Sequence, residues 1–352
     1  MDLRFKTRKL RFYAGGIASL LVPDGLYRRR LDRLMASLSI EEMNAVLARV
    51  DYYNRLASPF DPCETAVRID DFRYEKRSAY YLDAKQVMRH FDPDLRFAYR
   101  FGDVTWVADT PTVVKSRPIC REARPGRSML PSQSTRPRNA NNLLLKLNSV
   151  RHFHFVDDQL AFADKKPAVV WRGKCFHEHR AAVLREYRHH PRMNIGQSHA
   201  KRRHQPDYRP YLSIEEQLQY QFVLSLEGKD VATNLKWILS SNSLCLMPTP
   251  RYETWFMEGT LEPYVHYVPL ADDCSDLEAK MDYYTAHPEE AEAIVRNANS
   301  HVAQFLDGRR ERLISLLVMH KYFVLSGQLA AQPLPLRQHS GFSASAARNN
   351  WA

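Results

Sequence analysis

In the run Ala168-Val-Val-Trp-Arg-Gly-Lys174, an arginine and a glycine follow directly on a short apolar stretch. The apolar residues read as a buried strand, and open α/β sheets bind ligands outside the carboxyl ends of their strands. There Arg172 offers a planar fork suited to a diphosphate, and Gly173 lets the backbone approach a ligand closely. An arginine paired with a carboxylate at a strand end is an equally good reading of these residues alone. Glu227-Gly-Lys-Asp-Val-Ala-Thr-Asn-Leu-Lys-Trp237 repeats the pattern of strand end, glycine turn and helix start. Thr233, Asn234 and Lys236 fall in or near its first turns, where free backbone N–H groups favour an anion. An ordinary βα turn would look the same. Neither a Gly-x-Gly-x-x-Gly fingerprint nor a Walker loop is present.

Other polar clusters carry weaker chemistry. Asp92-Pro-Asp94 has the spacing by which metal-dependent sugar transferases hold a divalent cation, a triplet that also arises often by chance. His177-Glu-His179 and His152-Phe-His154 lack a third ligand at useful spacing and read as solvated basic faces. Arg185 to Arg209 is rich in arginine and histidine but has only Tyr187 and Tyr208 as aromatic neighbours, with no recognised nucleic-acid motif.

The elements that position these residues follow from periodicity. Ser39-Ile-Glu-Glu42 and Ser213-Ile-Glu-Glu216 are capping boxes, and each opens a helix. After the first, Met43, Val46, Leu47 and Val50 recur at helical spacing. Phe222–Leu226, Ser243–Met247 and Val265–Leu270 read as buried strands, separated by a helical pattern over Asp230–Ser240. Helices are expected from Asp276 to about Thr285 and from Pro288 to Phe305. Apolar runs alternating with helical patterns predict βα units and a parallel sheet. The arginine- and proline-rich stretch 117–142 is expected to be a basic loop or insertion, and 331–352 a disordered tail.

The chain has 352 residues and a formal net charge of +11, from 51 basic and 40 acidic residues. That excess calls for an anionic partner: nucleic acid, an anionic membrane surface or a phosphorylated substrate. Five dispersed cysteines, an odd number without a Cys-x-x-Cys pair, favour a reducing compartment, so a cytoplasmic setting is expected. The apolar segment Tyr13–Pro23 is too short to span a bilayer, which needs about 20 apolar residues. It reads as part of the fold. Its basic flank suits peripheral contact with anionic headgroups on the inner face of the cytoplasmic membrane.

An ordered set of segments carries a family resemblance. Phe101-Gly-Asp-Val, Pro111-Thr-Val-Val-Lys-Ser-Arg-Pro118, Asn142-Leu-Leu-Leu-Lys-Leu-Asn148, Arg151-His-Phe, Trp171-Arg-Gly, the 227–237 segment, Glu253-Thr-Trp-Phe-Met-Glu258, Pro263-Tyr-Val-His-Tyr-Val-Pro269 and Asp273-Cys-Ser-Asp-Leu277 occur in sequence. Together, over roughly residues 10–325, they resemble glycosyltransferase family 90, the CAP10-like proteins, and within it the bacterial branch of lipopolysaccharide core glycosyltransferases.

The resemblance implies an α/β, GT-B-type fold: two Rossmann-like domains facing a cleft. Residues 1–160 would form the acceptor-side domain, carrying the basic insertion 117–142. Residues 161–325 would form the nucleotide-sugar domain. It implies inverting transfer of a hexose or pentose from a UDP-sugar co-substrate to a lipopolysaccharide or other glycan, without a bound cofactor or metal. Arg172, Gly173, Thr233 and Lys236 are then donor-side candidates. Asn234 stands where eukaryotic relatives carry an arginine, and Lys236 is placed to substitute. Asp103 matches the family's base, with Asp109 in reserve. Lys115, Ser116 and Arg117 would line the acceptor side. Glu253 and Glu258 would hold ribose or sugar hydroxyls, and His266 and Tyr267 would shape the base pocket. The alternative function is a non-catalytic polyanion-binding or scaffold protein on the same fold. A carboxylate at an acceptor cleft has no use in that reading, which leaves nucleic acid a poor partner.

Overall fold

The computed structural model describes residues 3–28, 40–120 and 139–330. Helices α1 (Leu3–Leu20), α2 (Ile40–Tyr53) and α3 (Ser78–Met88) precede short strands β1 (Tyr99–Arg100), β2 (Thr112–Val114) and β3 (Asn142–Leu144). Next come β4 (Lys166–Gly173), α4 (Glu178–Tyr187), β5 (Met193–Gln197), β6 (Tyr220–Leu224), α5 (Leu235–Leu239), β7 (Leu244–Pro248) and β8 (Val268–Leu270). Helices α6 (Leu277–Ala286), α7 (Pro288–Ala303) and α8 (Gly308–Leu325) follow.

The chain divides into two compact units. Among the described residues, one joins 150–306 with 3–10, and the other joins those of 11–149 with 307–330. The boundary expected near residue 160 therefore falls at 149/150, and α8 belongs to the unit built mainly from the N-terminal part.

In the 150–306 unit, five parallel strands lie in the order β8-β7-β6-β4-β5. By appearance this is the doubly wound order 2-1-3-4-5, whose direction of winding reverses between β4 and β6. The α/β class with parallel sheets is thus as expected. Strands in such a sheet are covered on both faces, which is why Val169, Val170 and Trp171 are all buried in succession. Phe222, Leu224, Leu244, Leu246 and Val268 pack with Val183 and Leu184 of α4, Met281 of α6 and Ile294 of α7 in one core. Each such side chain contributes about 1.5–3 kcal/mol.

The second capping box is formed: Ser213 Oγ accepts from Glu216 N (3.1 Å), and Ser213 N donates to Glu216 Oε2 (2.6 Å). Of the first, Ser39 lies outside the described residues, as do 121–138 and the tail 331–352. The helix expected from Asp230 begins only at Leu235. The Asn234 side chain is drawn back to the sheet, its Nδ2 donating to Leu224 O (3.0 Å). Residues 225–234 therefore form a long loop at the strand end.

In the other unit, β1, β2 and β3 pair in parallel in that order. Helix α8 packs against α2 and α3. Its Val318 carbonyl accepts from Asn54 Nδ2 (3.0 Å), and Lys321 Nζ reaches Asp51 Oδ1 (2.6 Å) and Asn54 O (2.9 Å).

Candidate active site

The 11–149 unit carries the candidate base on a fastened loop. Gly102 has φ +118, a conformation strained for any residue with a Cβ, and the Arg77 guanidinium packs against it. Asp103 follows, its side chain 38% exposed, with Oδ1 2.6 Å from the buried Lys115 Nζ. The hydroxyl of Ser116 donates to Val104 O (3.1 Å) and accepts from Val104 N (3.2 Å). On the far side Asn142 accepts from Ala108 N and donates to Trp106 O, both 2.7 Å, while Asn141 donates to the carbonyls of Ala108 (2.9 Å) and Asp109 (2.7 Å). The asparagines thus hold residues 106–109 from one side as Ser116 holds Val104 from the other. Trp106, which the sequence reading passed over, is 49% exposed three residues beyond the carboxylate.

This geometry corrects two acceptor-side expectations. Ser116 is buried and occupied by the loop. Arg117 is fully buried, donating to the carbonyls of Tyr52 (2.6 Å), Tyr53 (3.2 Å) and Asn142 (3.1 Å). It is a core clamp at the start of the basic stretch. Lys115 positions Asp103. Asp109 is exposed.

The 150–306 unit carries a pocket of about 210 Å³ at the carboxyl ends of β6 and β7 and beside the loop after β8. Ser225, Glu227, Ala232, Met247, Arg251, Glu258 and Asp272 are among its walls, with His179 of α4. Glu227 Oε1 accepts from Arg251 N (3.0 Å), and its Oε2 lies 2.9 Å from Arg251 Nε. Burial nonetheless pushes the Glu227 carboxyl above its ordinary range.

Arg180 stands at the same strand ends. Its guanidinium donates to the carbonyls of Lys174 (2.8 Å), Leu226 (2.6 Å) and Glu227 (2.9 Å) and lies 5.6 Å from the Trp171 ring. Burial lowers its pKa. Three carbonyls take three of its five N–H donors, leaving two and the full positive charge at the sheet's carboxyl edge. Only the bare presence of an arginine in the α4 pattern marked it in the sequence.

Arg172 does not play that part. Its fork donates to the carbonyls of Trp171 (3.0 Å), Asn194 (2.6 Å) and Pro210 (2.8 Å) and to Asn194 Oδ1 (2.7 Å), tying β4 to β5. Burial brings its pKa down to about 10. Gly173 is needed for a different approach than expected: a Cβ would meet the Trp171 indole at 2.5 Å.

Lys236 is fully buried in an ion pair with Glu258, whose carboxylate also accepts from Thr254 N (2.6 Å) and Thr254 Oγ1 (3.0 Å). Glu258 forms part of the wall, and the pair offers no free ammonium, which corrects the expectation of a phosphate contact from Lys236. Asn234 is likewise committed, accepting from Ser225 Oγ (3.2 Å). The Thr233 hydroxyl has no hydrogen-bond partner among the described residues and is half-buried. Glu253 and Tyr267 are buried, and His266 Nδ1 accepts from Glu262 N (3.0 Å). None of these three lines the pocket, whereas Glu258, the other residue expected at the donor hydroxyls, does.

The remaining motifs resolve locally. Asp92 Oδ1 caps Asp94 N (2.9 Å), and Asp94 pairs with Arg68 (2.5 Å). Within the 185–209 stretch Arg185 pairs with Glu178, Arg192 with Asp282, and Arg202 donates to Cys175 O. No helix among the described residues is long and apolar enough to cross a membrane.

Sequence comparison now bears on this arrangement. The profile of glycosyl transferase family 90 matches residues 145–323. O-glucosyltransferase LpsA of Dichelobacter nodosus is 47% identical over 281 residues, covering 80% of this chain and 83% of that protein. Protein O-glucosyltransferase 3 of Homo sapiens is 29% identical over 105 residues, 30% of this chain and 20% of that one. A profile match over half the chain and a relative similar over four-fifths of it agree: the chain belongs to glycosyl transferase family 90.

Proposed function

We propose that the protein is an inverting glycosyltransferase that moves a hexose or pentose from a UDP-sugar to a glycan, with lipopolysaccharide core as the acceptor class. The observation that carries the reading is Arg180: a half-buried cation with two donors left over at the carboxyl ends of a doubly wound sheet, bonded to the carbonyls of Leu226 and Glu227, which line the pocket. Such an edge is where this topology binds nucleotides. The GT-B arrangement expected from the sequence is part of the proposal.

In the reaction the acceptor hydroxyl attacks the anomeric carbon of the donor. The new C–O bond forms as the bond to the β-phosphate oxygen breaks, and the sugar inverts. The hydroxyl proton passes to Asp103, held ready by Lys115. The departing UDP takes the electron pair, and Arg180 with the Thr233 hydroxyl meets the charge that develops on the diphosphate. No bound metal is assigned to this step. Trp106 presents an aromatic face on which an acceptor sugar ring can lie. A peripheral membrane contact would use the exposed Ile17, Leu21 and Leu26 with Arg11 and Arg28.

UDP release from a panel of UDP-sugars, with and without lipopolysaccharide and with and without EDTA, tests the proposal. Acceptor-stimulated release that survives EDTA is expected. Loss on chelation with recovery in Mn²⁺ would refute the metal-free step, and no release from any donor would favour the scaffold reading.

A further inference from the structure

On the outer side of α6 and α7 lies a groove of about 560 Å³ that shares no residue with the pocket at the strand ends. Two tyrosines stand half out of it, Tyr264 at 54% and Tyr283 at 46% exposure. Single exposed apolar residues are ordinary, but these two are held in place. Tyr264 has φ +62, a left-handed conformation that costs a residue with a Cβ about 1–2 kcal/mol. Its backbone N–H donates to Tyr267 O (2.8 Å), and Lys280 Nζ donates to its hydroxyl (2.9 Å). The Tyr283 ring stacks on His287 at 4.2 Å, and its hydroxyl donates to the Glu290 carboxylate at 3.2 Å. Asn297, also in the groove, is exposed and has no hydrogen-bond partner among the described residues.

We infer that this groove is a second saccharide-binding site, which holds a sugar of the acceptor away from the reacting hydroxyl. The identity of the saccharide rests on the glycosyltransferase reading; the chemistry of the groove does not. A pyranose offers a C–H face to an aromatic ring and hydroxyls at its rim. The tyrosines supply the faces. Glu290 accepts, Lys280 donates, and Asn297 does both. One cation opposite one carboxylate leaves the groove near neutrality, which suits a sugar better than the repeated phosphates of a nucleic acid. Both ring positions are fixed before a ligand arrives, so little ordering is left to oppose binding.

The test uses the full chain and one probe, the lipid-free core oligosaccharide released from lipopolysaccharide by mild acid. Its affinity is measured by calorimetry for wild type, for Tyr264→Ala/Tyr283→Ala, and for Ala293→Trp, which fills the groove without removing a tyrosine. Both variants should bind the probe about ten-fold more weakly, the first because two ring contacts are lost and the second because they are blocked. UDP affinity should be unchanged, which also shows that the variants are folded. Probe affinity unaltered in both variants, or no binding of the probe by wild type, would overturn the inference. If wild type releases no UDP from any UDP-sugar yet the variants still lose the probe, the groove stands and the proposed reaction falls. If wild type transfers and the variants bind the probe normally, the reverse holds.

Discussion

Asp103→Asn separates chemistry from structure at the candidate base. The substitution keeps an acceptor oxygen 2.6 Å from Lys115 Nζ but removes the charge opposite a buried ammonium. Orphaning a fully buried partner costs about 3–5 kcal/mol. Asp103 is more than one-third exposed, and solvent screening brings the expected loss of stability to about 1–2 kcal/mol. A general base contributes about 10²–10⁴-fold to rate, or roughly 3–5.5 kcal/mol of barrier. The two effects are therefore of different size and read out differently. Lys115→Met is the control, because it breaks the same pair and leaves the carboxylate. Thermal unfolding should show comparable losses for both variants. Acceptor-stimulated UDP release should fall by at least a hundred-fold only in Asp103→Asn, with UDP affinity by calorimetry nearly intact. Turnover within ten-fold of wild type in Asp103→Asn would refute the assignment, most directly if Asp109→Asn is then the inactive one.

Arg180→Ala should weaken UDP about ten- to a hundred-fold and uridine little, since a charge-assisted hydrogen bond is worth about 1.5–3 kcal/mol; equal losses in calorimetry would assign Arg180 to the fold alone. Arg172→Ala should instead lower the melting temperature and affect UDP and uridine alike, because its fork ties β4 to β5. Lys236→Met should destabilise by about 3–5 kcal/mol in urea unfolding by orphaning Glu258, and Lys236→Met/Glu258→Leu by clearly less; a single variant as stable as wild type would contradict the buried pair. Asp83, accepting from Ser149 N (2.7 Å) and Ser149 Oγ (2.8 Å), is raised by burial from 3.8 to about 7. The folded state therefore holds a proton that the unfolded state has released between those values. Stability is greatest below pH 4 in this contribution and is lost as pH rises through 7, at up to about 1.4 kcal/mol per unit. Asp83→Asn should flatten that part of the melting profile between about pH 4 and 7, and an unchanged slope would sink the assignment.

What could be read from residues alone was local. Consecutive apolar residues such as Val169-Val170-Trp171 announce a strand covered on both faces, and Ser213 with Glu216 announces a helix start. The same logic directs attention to the carboxyl edge of β4 and the loop after β6. Which side chain serves there was not legible, because it depends on partners remote in sequence. Arg172 is taken by Asn194 and Pro210, and Lys236 by Glu258. Arg180 lies inside an ordinary amphipathic pattern and gains its place only when α4 crosses the ends of β4 and β6. Arg117 looked like the start of a solvated basic run, yet three carbonyls of other segments swallow its charge. The tyrosine groove likewise exists only once Tyr264 and helices α6 and α7 have assembled.

The membership of α8 in the unit made mostly of residues 11–149 has a consequence for how the protein is made. Residues 150–306 include all five strands of their sheet and the helices that cover it, so nearly the whole of that unit has been synthesised before α8 is translated. The earlier-born unit must wait. Phe91 stays without Phe323 and Phe60 without Tyr322 until α8 emerges, and Asn54 lacks the Val318 carbonyl. Residues 11–149, though synthesised before 150–306, are thus the last to close their core. During that interval their aromatic interior is exposed to chaperones, to neighbouring chains and to proteases, a window whose length is set by translation speed.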